Sequence, residues 1–312
     1  MMEDILHSTP GNDVPDNHIA GFFETHDGLA LRYAIFRSPV SIAKGTIVLL
    51  QGRNESIEKY FETIRELTEQ GFWVATFDWR GQGGSPRLIA DHSLGHVHRF
   101  ADYEKDLEAF LEKIVLPDTR LPFFMVAHSM GALIALSTAP RLANRIDRIA
   151  LSAPLLELSD RRPSSHTIMR VARFLRLFGL GRKALSKSRP HTEFAGNVLT
   201  SDPDRYARNR AIVKAHPEFA LGPPTASWID ECLRAGQRVS TFSHLDKIMV
   251  PTIVLAPTQD AVVSYPAIER LSRYFRAGHF IPIDGAKHEL FQERDRYRAQ
   301  AMSAVLAFLP GS

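Results

Sequence analysis

The chain has 312 residues, 44% of them apolar and 23% charged, with a formal net charge of +3. This is the composition of an ordinary globular protein, and so small a charge excess gives no reason to expect a nucleic-acid partner. The length suits one large domain, or a core domain that carries a sizeable insertion.

Three further features constrain the compartment. Residues 1–17 carry four acidic side chains and lack the basic and apolar regions of a secretory signal. The sequence has no run near the roughly 18 apolar residues that a membrane-spanning helix needs. Cys232 has no second cysteine to pair with, which fits a reducing compartment. We therefore expect a cytoplasmic protein whose membrane contact, if it has one, is peripheral and on the inner surface.

Short apolar runs predict the strands in chain order. Ile19–Thr25 and Leu29–Phe36 flank His26-Asp27-Gly28, which predicts a β-hairpin. Six continuous apolar runs follow, typical of strands buried on both faces of a parallel sheet: Thr46–Leu50, Trp73–Phe77, Pro122–Ala127, Ile146–Ser152, Thr252–Ala256 and Phe280–Ile283. Helices are predicted between most of them, over Ile57–Glu69, Phe100–Val115, Met130–Leu142, Pro266–Phe275 and Glu289–Phe308. The alternation predicts an α/β protein with a mostly parallel sheet of about eight strands.

One interval interrupts this alternation. Residues 157–242 lack strand-like runs, and prolines divide them into short helical pieces, at Pro203, Pro217, Pro223 and Pro224. We interpret residues 157–242 as a helical cap inserted into a core formed by residues 19–156 and 243–312. Residues 1–18 are expected to form a flexible N-terminal segment.

A candidate nucleophile lies between a predicted strand and a predicted helix. The segment Ala127-His128-Ser129-Met130-Gly131 leads from an apolar run through a small residue to a serine and a glycine-led helix. In such a nucleophile elbow the tight turn exposes the serine hydroxyl, and the helix N-terminus favours a developing oxyanion. For the motif taken alone, a buried serine at an ordinary helix start is the alternative.

The partners that Ser129 would need follow later strands. A nucleophilic serine requires a base and an acid that orients the base, and in this kind of site they occur in the order Ser, Asp, His. Asp260 follows the run Thr252–Ala256, and His288 follows Phe280–Ile283. A solvated loop aspartate and a helix-capping histidine are the alternatives for each residue singly, but they explain the pair poorly.

Two backbone N–H groups are candidates for stabilising the oxyanion. One belongs to Met130, and the other to Arg53, in the loop that follows the predicted strand Thr46–Leu50. Gly52 lets the backbone of this loop approach a substrate closely. A plain strand-to-helix turn is the alternative for the loop.

The chain resembles the α/β-hydrolase superfamily, and within it the bacterial lysophospholipase and monoacylglycerol lipase family. The resemblance covers nearly all of residues 19–309. It is carried by Asp260, His288 and the segments Gln51–Ser56 (QGRNES), Asp78–Ser85 (DWRGQGGS), Ala127–Gly131 (AHSMG) and Pro224–Asp230 (PTASWID). The family usually has His where Gln51 stands and Gly where Ala127 and Ala132 stand.

This resemblance implies the α/β-hydrolase fold and a role for each matched residue. Ser129 is implied as the nucleophile, Asp260 and His288 as its relay, and Arg53 and Met130 as oxyanion donors. We also expect three residues to contact the substrate, namely Gly52, His128 and Trp228. The chemistry requires no cofactor and no metal.

Three other features favour structural interpretations. The glycines of segment 78–85 lack the lysine and the spacing of nucleotide-binding loops, which favours a turn held by an Arg80–Asp78 contact. Three nearby histidines match no metal motif, namely His92, His96 and His98. Cys232 has helical spacing from Trp228, which favours packing over a nucleophilic role.

The segment 161–189 has nine basic residues and no acidic residue. On a helix over Ile168–Phe178, three arginines fall on one side and the apolar residues on the other: Arg170, Arg173 and Arg176. Such a helix either packs its apolar face on the core or lies on an anionic membrane, and the sequence leaves both open.

Together these features predict a serine hydrolase that cleaves the carboxylic ester of a lysophospholipid or monoacylglycerol through an acyl enzyme on Ser129. Transacylation follows if a lipid alcohol replaces water. A different hydrolase on the same fold is one alternative: a carboxylesterase for small soluble esters, a peptidase or a carbon–carbon bond hydrolase. A binding protein that kept the fold without catalysis is another. Dehalogenases and epoxide hydrolases are disfavoured, because their nucleophile is a carboxylate, whereas the candidate nucleophile here is Ser129.

Overall fold

The computed structural model describes residues 5–159, 163–186 and 193–309, and an eight-stranded sheet forms its centre. The strands are β1 His18–Glu24, β2 Ala30–Phe36, β3 Gly45–Leu50, β4 Phe72–Phe77, β5 Phe123–His128, β6 Arg148–Ser152, β7 Thr252–Pro257 and β8 Gly278–Ile283. Their order across the sheet is β1-β2-β4-β3-β5-β6-β7-β8. Strand β2 pairs antiparallel with β1 and β4, and the other neighbours pair in parallel. All eight predicted strands are confirmed.

Helices cover both faces of this sheet. In the described residues they are α1 Phe61–Glu69, α2 Phe100–Phe110, α3 Leu116–Asp118, α4 Met130–Thr138, α5 Ser165–Leu177, α6 Pro203–Ala215, α7 Ala226–Val239, α8 Phe242–Leu245, α9 Tyr265–Ser272 and α10 Asp295–Phe308. A π-helical stretch, Leu111–Val115, joins α2 to α3. The helix predicted from Glu289 is wrong at its start, because a 3₁₀ turn over Leu290–Gln292 comes first and α10 begins at Asp295.

The inner strands β3 to β7 are nearly continuous apolar runs because both faces of the sheet are buried there. The edge strands β1 and β8 are partly exposed, so the run Phe280–Ile283 is not buried on both faces as predicted. In β3, Ile47 and Leu49 belong to the core formed with α1 and α10, whereas Val48 and Leu50 belong to the core on the opposite face. All four side chains are fully buried. Burial of each contributes about 1.5–3 kcal/mol, so a polar residue at any of these positions would be costly.

Between β6 and β7 the described residues form helices and add no strand to the sheet. Prolines lie at helix starts, as at Pro203, where the Asp202 side chain caps the first turn of α6. Thr225 caps α7 in the same way. Helix α7 approaches the core closely, because a Cβ on Gly236 would lie 2.2 Å from the Leu156 carbonyl oxygen. We continue to call residues 157–242 the cap.

Residues 5–17 pack on the core. Leu6 is buried, and the buried Asn12 side chain donates a hydrogen bond of 2.9 Å to the Glu58 carbonyl oxygen. The Arg32 guanidinium donates another, of 3.0 Å, to the Ile5 carbonyl oxygen. The expectation of a flexible segment over residues 1–18 therefore does not hold for residues 5–17.

Candidate active site

Ser129 lies at a tight turn between β5 and α4. Its φ of 51° and ψ of −110° are rare for a residue other than glycine and typical of a nucleophile elbow. Position 131 requires glycine, because a Cβ on Gly131 would lie 2.5 Å from the Gln51 carbonyl oxygen. Ala127 is instead a regular strand residue paired with β3 and β6, so its methyl group fits.

Three polar side chains meet at the carboxyl end of the sheet. The Nε2 atom of His288 lies 3.0 Å from Ser129 Oγ, and its Nδ1 atom lies 2.6 Å from Asp260 Oδ2. The other carboxylate oxygen of Asp260 accepts hydrogen bonds of 2.7 and 3.0 Å from the Val262 and Val263 N–H groups. The carboxylate is thus fixed by backbone, and it orients the imidazole towards the serine hydroxyl.

The Asp260–His288 pair determines the basicity of the imidazole. Both side chains are buried. Burial alone lowers the pKa of His288, but the charge of Asp260 and its hydrogen bond outweigh burial and raise the pKa above the ordinary 6.5. A neutral imidazole in this position is a strengthened proton acceptor.

The loop after β3 lies against Ser129. A Cβ on Gly52 would lie 3.2 Å from Ser129 Cβ and 3.0 Å from the His128 ring, so a larger residue would displace its neighbours. Met130 is the first residue of α4, where backbone N–H groups have no acceptor within the helix. The structure therefore brings the loop that contains Gly52 and Arg53 together with the start of α4.

His128 and Trp228 have different surroundings. The centroid of the His128 ring lies 4.8 Å from that of His288, and burial lowers the pKa of His128 to about 3, which keeps it neutral. The Trp228 indole donates a hydrogen bond of 3.2 Å to the Tyr103 hydroxyl, and the Arg53 guanidinium lies 5.3 Å from its ring. Trp228 is therefore linked to the candidate site by its contact with the Arg53 guanidinium.

A buried charge cluster beside the site was missed by sequence reasoning. The Lys59 ammonium donates to the carboxylates of Glu55 and Glu289, each at 2.7 Å. Burial opposes ionisation of Glu55, but Lys59 outweighs it and lowers the pKa of this carboxyl to about 2. Glu55 also accepts a hydrogen bond from the Gly52 N–H. Two sequence signals existed, the four-residue spacing of Glu55 and Lys59 and the position of Glu289 after His288.

The glycine-rich segment after β4 forms a turn whose ion pairs differ from the prediction. Asp78 accepts a hydrogen bond of 2.8 Å from Arg32, and Arg80 binds Asp106 at 2.6 Å and Asp27 at 2.9 Å. The predicted Arg80–Asp78 contact is therefore wrong. Asp78 fills the interior of the turn, since a Cβ on Gly83 would lie 2.3 Å from its carboxylate.

Two of the three histidines of segment 91–98, His96 and His98, are in contact. His96 Nδ1 lies 2.9 Å from Thr225 Oγ1, and its Nε2 lies 3.3 Å from His98 Nδ1, whereas His92 is exposed. Cys232 is buried in the core, and burial raises the pKa of its thiol, as expected for a packing residue.

Helix α5 buries part of its apolar face and exposes the rest. Met169 and Ala172 are buried. Four apolar side chains are 47 to 78% exposed: Val171, Phe174, Leu177 and Phe178. Arg176, one of the three arginines predicted on the polar side, pairs with Asp230 and Glu231 of α7. Four basic residues of segment 161–189 lie outside the described residues: Arg161, Arg162, Lys187 and Arg189.

Solved structures share this architecture. The crystal structure of a soluble variant of monoglyceride lipase from Saccharomyces cerevisiae, in complex with a substrate analog, matches with a TM-score of 0.75 at 21% identity. The match covers 99% of this chain and 98% of that one. Together with the strand order, it defines this protein as having the α/β-hydrolase fold.

Sequence comparison narrows the class to a family. The family described as serine aminopeptidase, S33, matches residues 41–295. Lysophospholipase L2 of Escherichia coli (strain K12) is 34% identical, over 90% of this chain and 84% of that protein. The probable lysophospholipase L2 of Haemophilus influenzae is 29% identical, over 90% and 88%. The chain therefore belongs to the serine aminopeptidase (S33) family and is a serine hydrolase, which confirms the resemblance found in the sequence.

In the described part of the chain, the helices are too short or too polar to cross a lipid bilayer.

Proposed function

We propose that this enzyme hydrolyses the carboxylic ester of a lysophospholipid or a monoacylglycerol at Ser129. The observation that carries the proposal is the hydrogen-bonded series from Asp260 through His288 to Ser129, with distances of 2.6 and 3.0 Å. The substrate class is supported by relatives and structural neighbours named lysophospholipase L2 and monoglyceride lipase.

Acylation uses His288 first as a base and then as an acid. Its Nε2 atom takes the Ser129 proton while Oγ attacks the ester carbonyl carbon. The resulting oxyanion accepts hydrogen bonds from the Arg53 and Met130 backbone N–H groups. The ester C–O bond then breaks, and the alcohol leaves with the proton from His288.

Deacylation repeats these steps with a new nucleophile. His288 takes a proton from water, the oxygen attacks the acyl carbon, and the fatty acid leaves as Ser129 regains its proton. If a lipid alcohol takes the place of water, the same steps transfer the acyl group. Gly52 and His128 adjoin these reacting groups and line the proposed active site.

Active-site labelling and a substrate panel test this proposal. We expect a fluorophosphonate probe to label the native protein but not Ser129→Ala, and long-chain lysophospholipids or monoacylglycerols to be hydrolysed. Undiminished labelling of Ser129→Ala, or no labelling of the native protein, would overturn the catalytic assignment. Turnover that is fastest for short p-nitrophenyl esters and falls with acyl length would overturn the lipid assignment in favour of a carboxylesterase.

We also propose that the cap contacts anionic membranes through α5. Phe174 and Leu177 are exposed on this helix and Phe178 is exposed directly after it, and Arg170 and Arg173 are exposed beside them. Neither arginine forms an ion pair with the described residues. Aromatic and aliphatic side chains that enter the acyl region, flanked by arginines that reach lipid phosphates, suit an anionic surface.

Sedimentation with vesicles tests the membrane contact. We expect binding to anionic vesicles at low salt that weakens as salt is added, because surface charges are screened. Equal binding to neutral vesicles together with no salt effect would contradict the proposal.

A further inference from the structure

Arg53 is a cation without a carboxylate partner in the described parts of the chain. Its Nε atom is buried and has no hydrogen-bond partner there. Its guanidinium donates one hydrogen bond to the Gly222 carbonyl oxygen and lies 5.3 Å from the Trp228 ring centroid. Burial without a compensating charge lowers the pKa of Arg53 to about 10.

The fully buried arginines of the described structure are neutralised within the protein, whereas Arg53 is half-buried. Arg32 pairs with Asp78 at 2.5 Å, and Arg298 pairs with Glu66 at 2.7 Å. A buried charge that lacks such a partner is costly to maintain, and perturbed groups of this kind concentrate at functional sites. Arg53 therefore differs from these arginines, because no carboxylate among the described residues neutralises it.

The position of Arg53 links this unpaired charge to the reaction. Arg53 directly follows Gly52, where a Cβ would lie 3.2 Å from Ser129 Cβ. The Arg53 side chain extends from this point to the Gly222 carbonyl oxygen and the Trp228 ring, so its guanidinium lies at most one arginine side chain from the backbone next to Gly52. In a lysophospholipid the phosphate is separated from the ester carbonyl by the glycerol backbone, which is a comparable reach.

We infer that the Arg53 guanidinium binds the phosphate group of the substrate, so that phosphate-bearing lysolipids are favoured over monoacylglycerols. This inference rests on the proposed function and narrows its two substrate classes to one. The guanidinium presents several N–H donors in a plane that matches phosphate oxygens, whereas Gly222 and Trp228 hold it in place from the cap. The substrate phosphate supplies the anion that the described residues do not place beside Arg53.

The test compares Arg53→Gln with the native enzyme on a lysophospholipid and a monoacylglycerol of the same acyl chain. The backbone N–H of residue 53 survives this change, so the oxyanion donor is retained. We expect the ratio of kcat/KM for lysophospholipid to that for monoacylglycerol to fall by roughly tenfold or more, the effect of a lost charged hydrogen bond. Arg53→Lys should restore part of the ratio, because it keeps the charge with fewer donors.

A matched control separates phosphate binding from attachment to the cap. Arg87 also donates a hydrogen bond to a cap carbonyl oxygen, that of Glu218. Arg87→Gln should leave the substrate ratio unchanged. Equal proportional losses on both substrates in Arg53→Gln would mean that Arg53 acts by holding the loop to the cap, which overturns the inference.

Two further results distinguish a failure of the proposed function from a failure of the phosphate inference. If Ser129→Ala keeps full activity, the proposed function fails, whereas an inactive Ser129→Ala with an unchanged ratio in Arg53→Gln removes the phosphate inference alone. Inorganic phosphate should inhibit native turnover competitively, and Arg53→Gln should relieve that inhibition. If the variant relieves inhibition by fatty-acid anions instead, at an unchanged substrate ratio, Arg53 binds the product carboxylate and the inference is overturned.

Discussion

The Glu55 carboxylate accepts a hydrogen bond of 2.5 Å from the Gly52 backbone N–H. Glu55 is held in turn by Lys59, which also binds Glu289. The loop that we propose as an oxyanion donor is therefore supported by a buried charge network. Its position relative to Ser129 depends on residues that need not contact the substrate.

Lys59→Met should destabilise the protein in a pH-dependent way. The change leaves two buried carboxylates without their cation, which costs about 3–5 kcal/mol of unfolding free energy at neutral pH. In the native protein the pKa of Glu55 is about 2, below its ordinary 4.5. Its ion pair therefore stabilises the fold above pH 4.5, and this stabilisation is lost as the pH falls from 4.5 towards 2.

Urea unfolding at pH 7 and pH 4 measures this effect. In Lys59→Met the buried carboxylates protonate more readily than in the unfolded chain, so the deficit relative to the native protein should shrink at pH 4. Lys214→Met, which removes an exposed lysine of α6, should change stability little at either pH. A deficit of the same size at both pH values would contradict the buried ion pair.

Gly52→Ala should reduce turnover more than it reduces stability. The new Cβ would lie 3.0 Å from Glu55 Oε2 and from the His128 ring, so the loop must shift by a few tenths of an ångström. Displacement of an oxyanion donor by 1 Å can cost roughly 100-fold, and we expect a loss of kcat of about tenfold for this smaller shift. Steady-state kinetics and the unfolding temperature are the measurements. Native kcat would show that the loop does not act in the reaction.

Asp260→Asn should lower kcat by roughly 10⁴-fold, because the imidazole loses the partner that sets its tautomer. The carboxylate raises the pKa of His288, so its removal should move the acidic limb of the kcat/KM profile to lower pH. Asp284→Asn is the control, since Asp284 is a loop aspartate after β8 that bonds to Thr258 at 3.0 Å. An acidic limb at the native position in Asp260→Asn would exclude His288 as the titrating base.

The fold was predictable where a local sequence pattern reflects the burial of the residues. Ile47 and Val48 belong to opposite faces of the sheet and are both buried, so β3 is apolar at every such position and stands out in the sequence. The Ser129 turn was predictable for the same reason, since strand, serine and glycine are adjacent. Asp260 and His288 each follow a later strand of the same parallel sheet, so both could be expected at the same edge of the sheet as Ser129.

Long-range pairing had no comparable signal. Arg80 and Asp78 are neighbours in sequence, but Arg80 binds Asp106, 26 residues away, and Asp78 binds Arg32, 46 residues away. The sequence alone offers no reason to prefer one carboxylate over another as the ion-pair partner of an arginine. For the same reason the sequence does not show that the described residues place no carboxylate beside Arg53, because the surroundings of a side chain are a property of the folded chain.

The exposed face of α5 gives a prediction that separates apolar from charged contributions to membrane binding. The centroids of the Phe174 and Phe178 rings lie 4.5 Å apart on this exposed surface. The double variant Phe174→Glu, Phe178→Glu should lose binding to anionic vesicles, because insertion into the acyl region is removed. The double variant Arg170→Gln, Arg173→Gln should bind roughly 30-fold more weakly, at about 1 kcal/mol for each arginine, and should lose most of its salt dependence.

Phe242→Glu is the matched control for the aromatic variant, because Phe242 of α8 is exposed to the same degree as Phe174, at 60% against 59%. It should bind vesicles as the native protein does if α5 is the contact surface. Fluorophosphonate labelling in solution should remain at the native level in all of these variants, since the altered residues lie outside the proposed relay. If Phe242→Glu loses binding as severely as the α5 aromatic variant, the contact is a general effect of surface hydrophobicity and α5 is not a specific membrane surface.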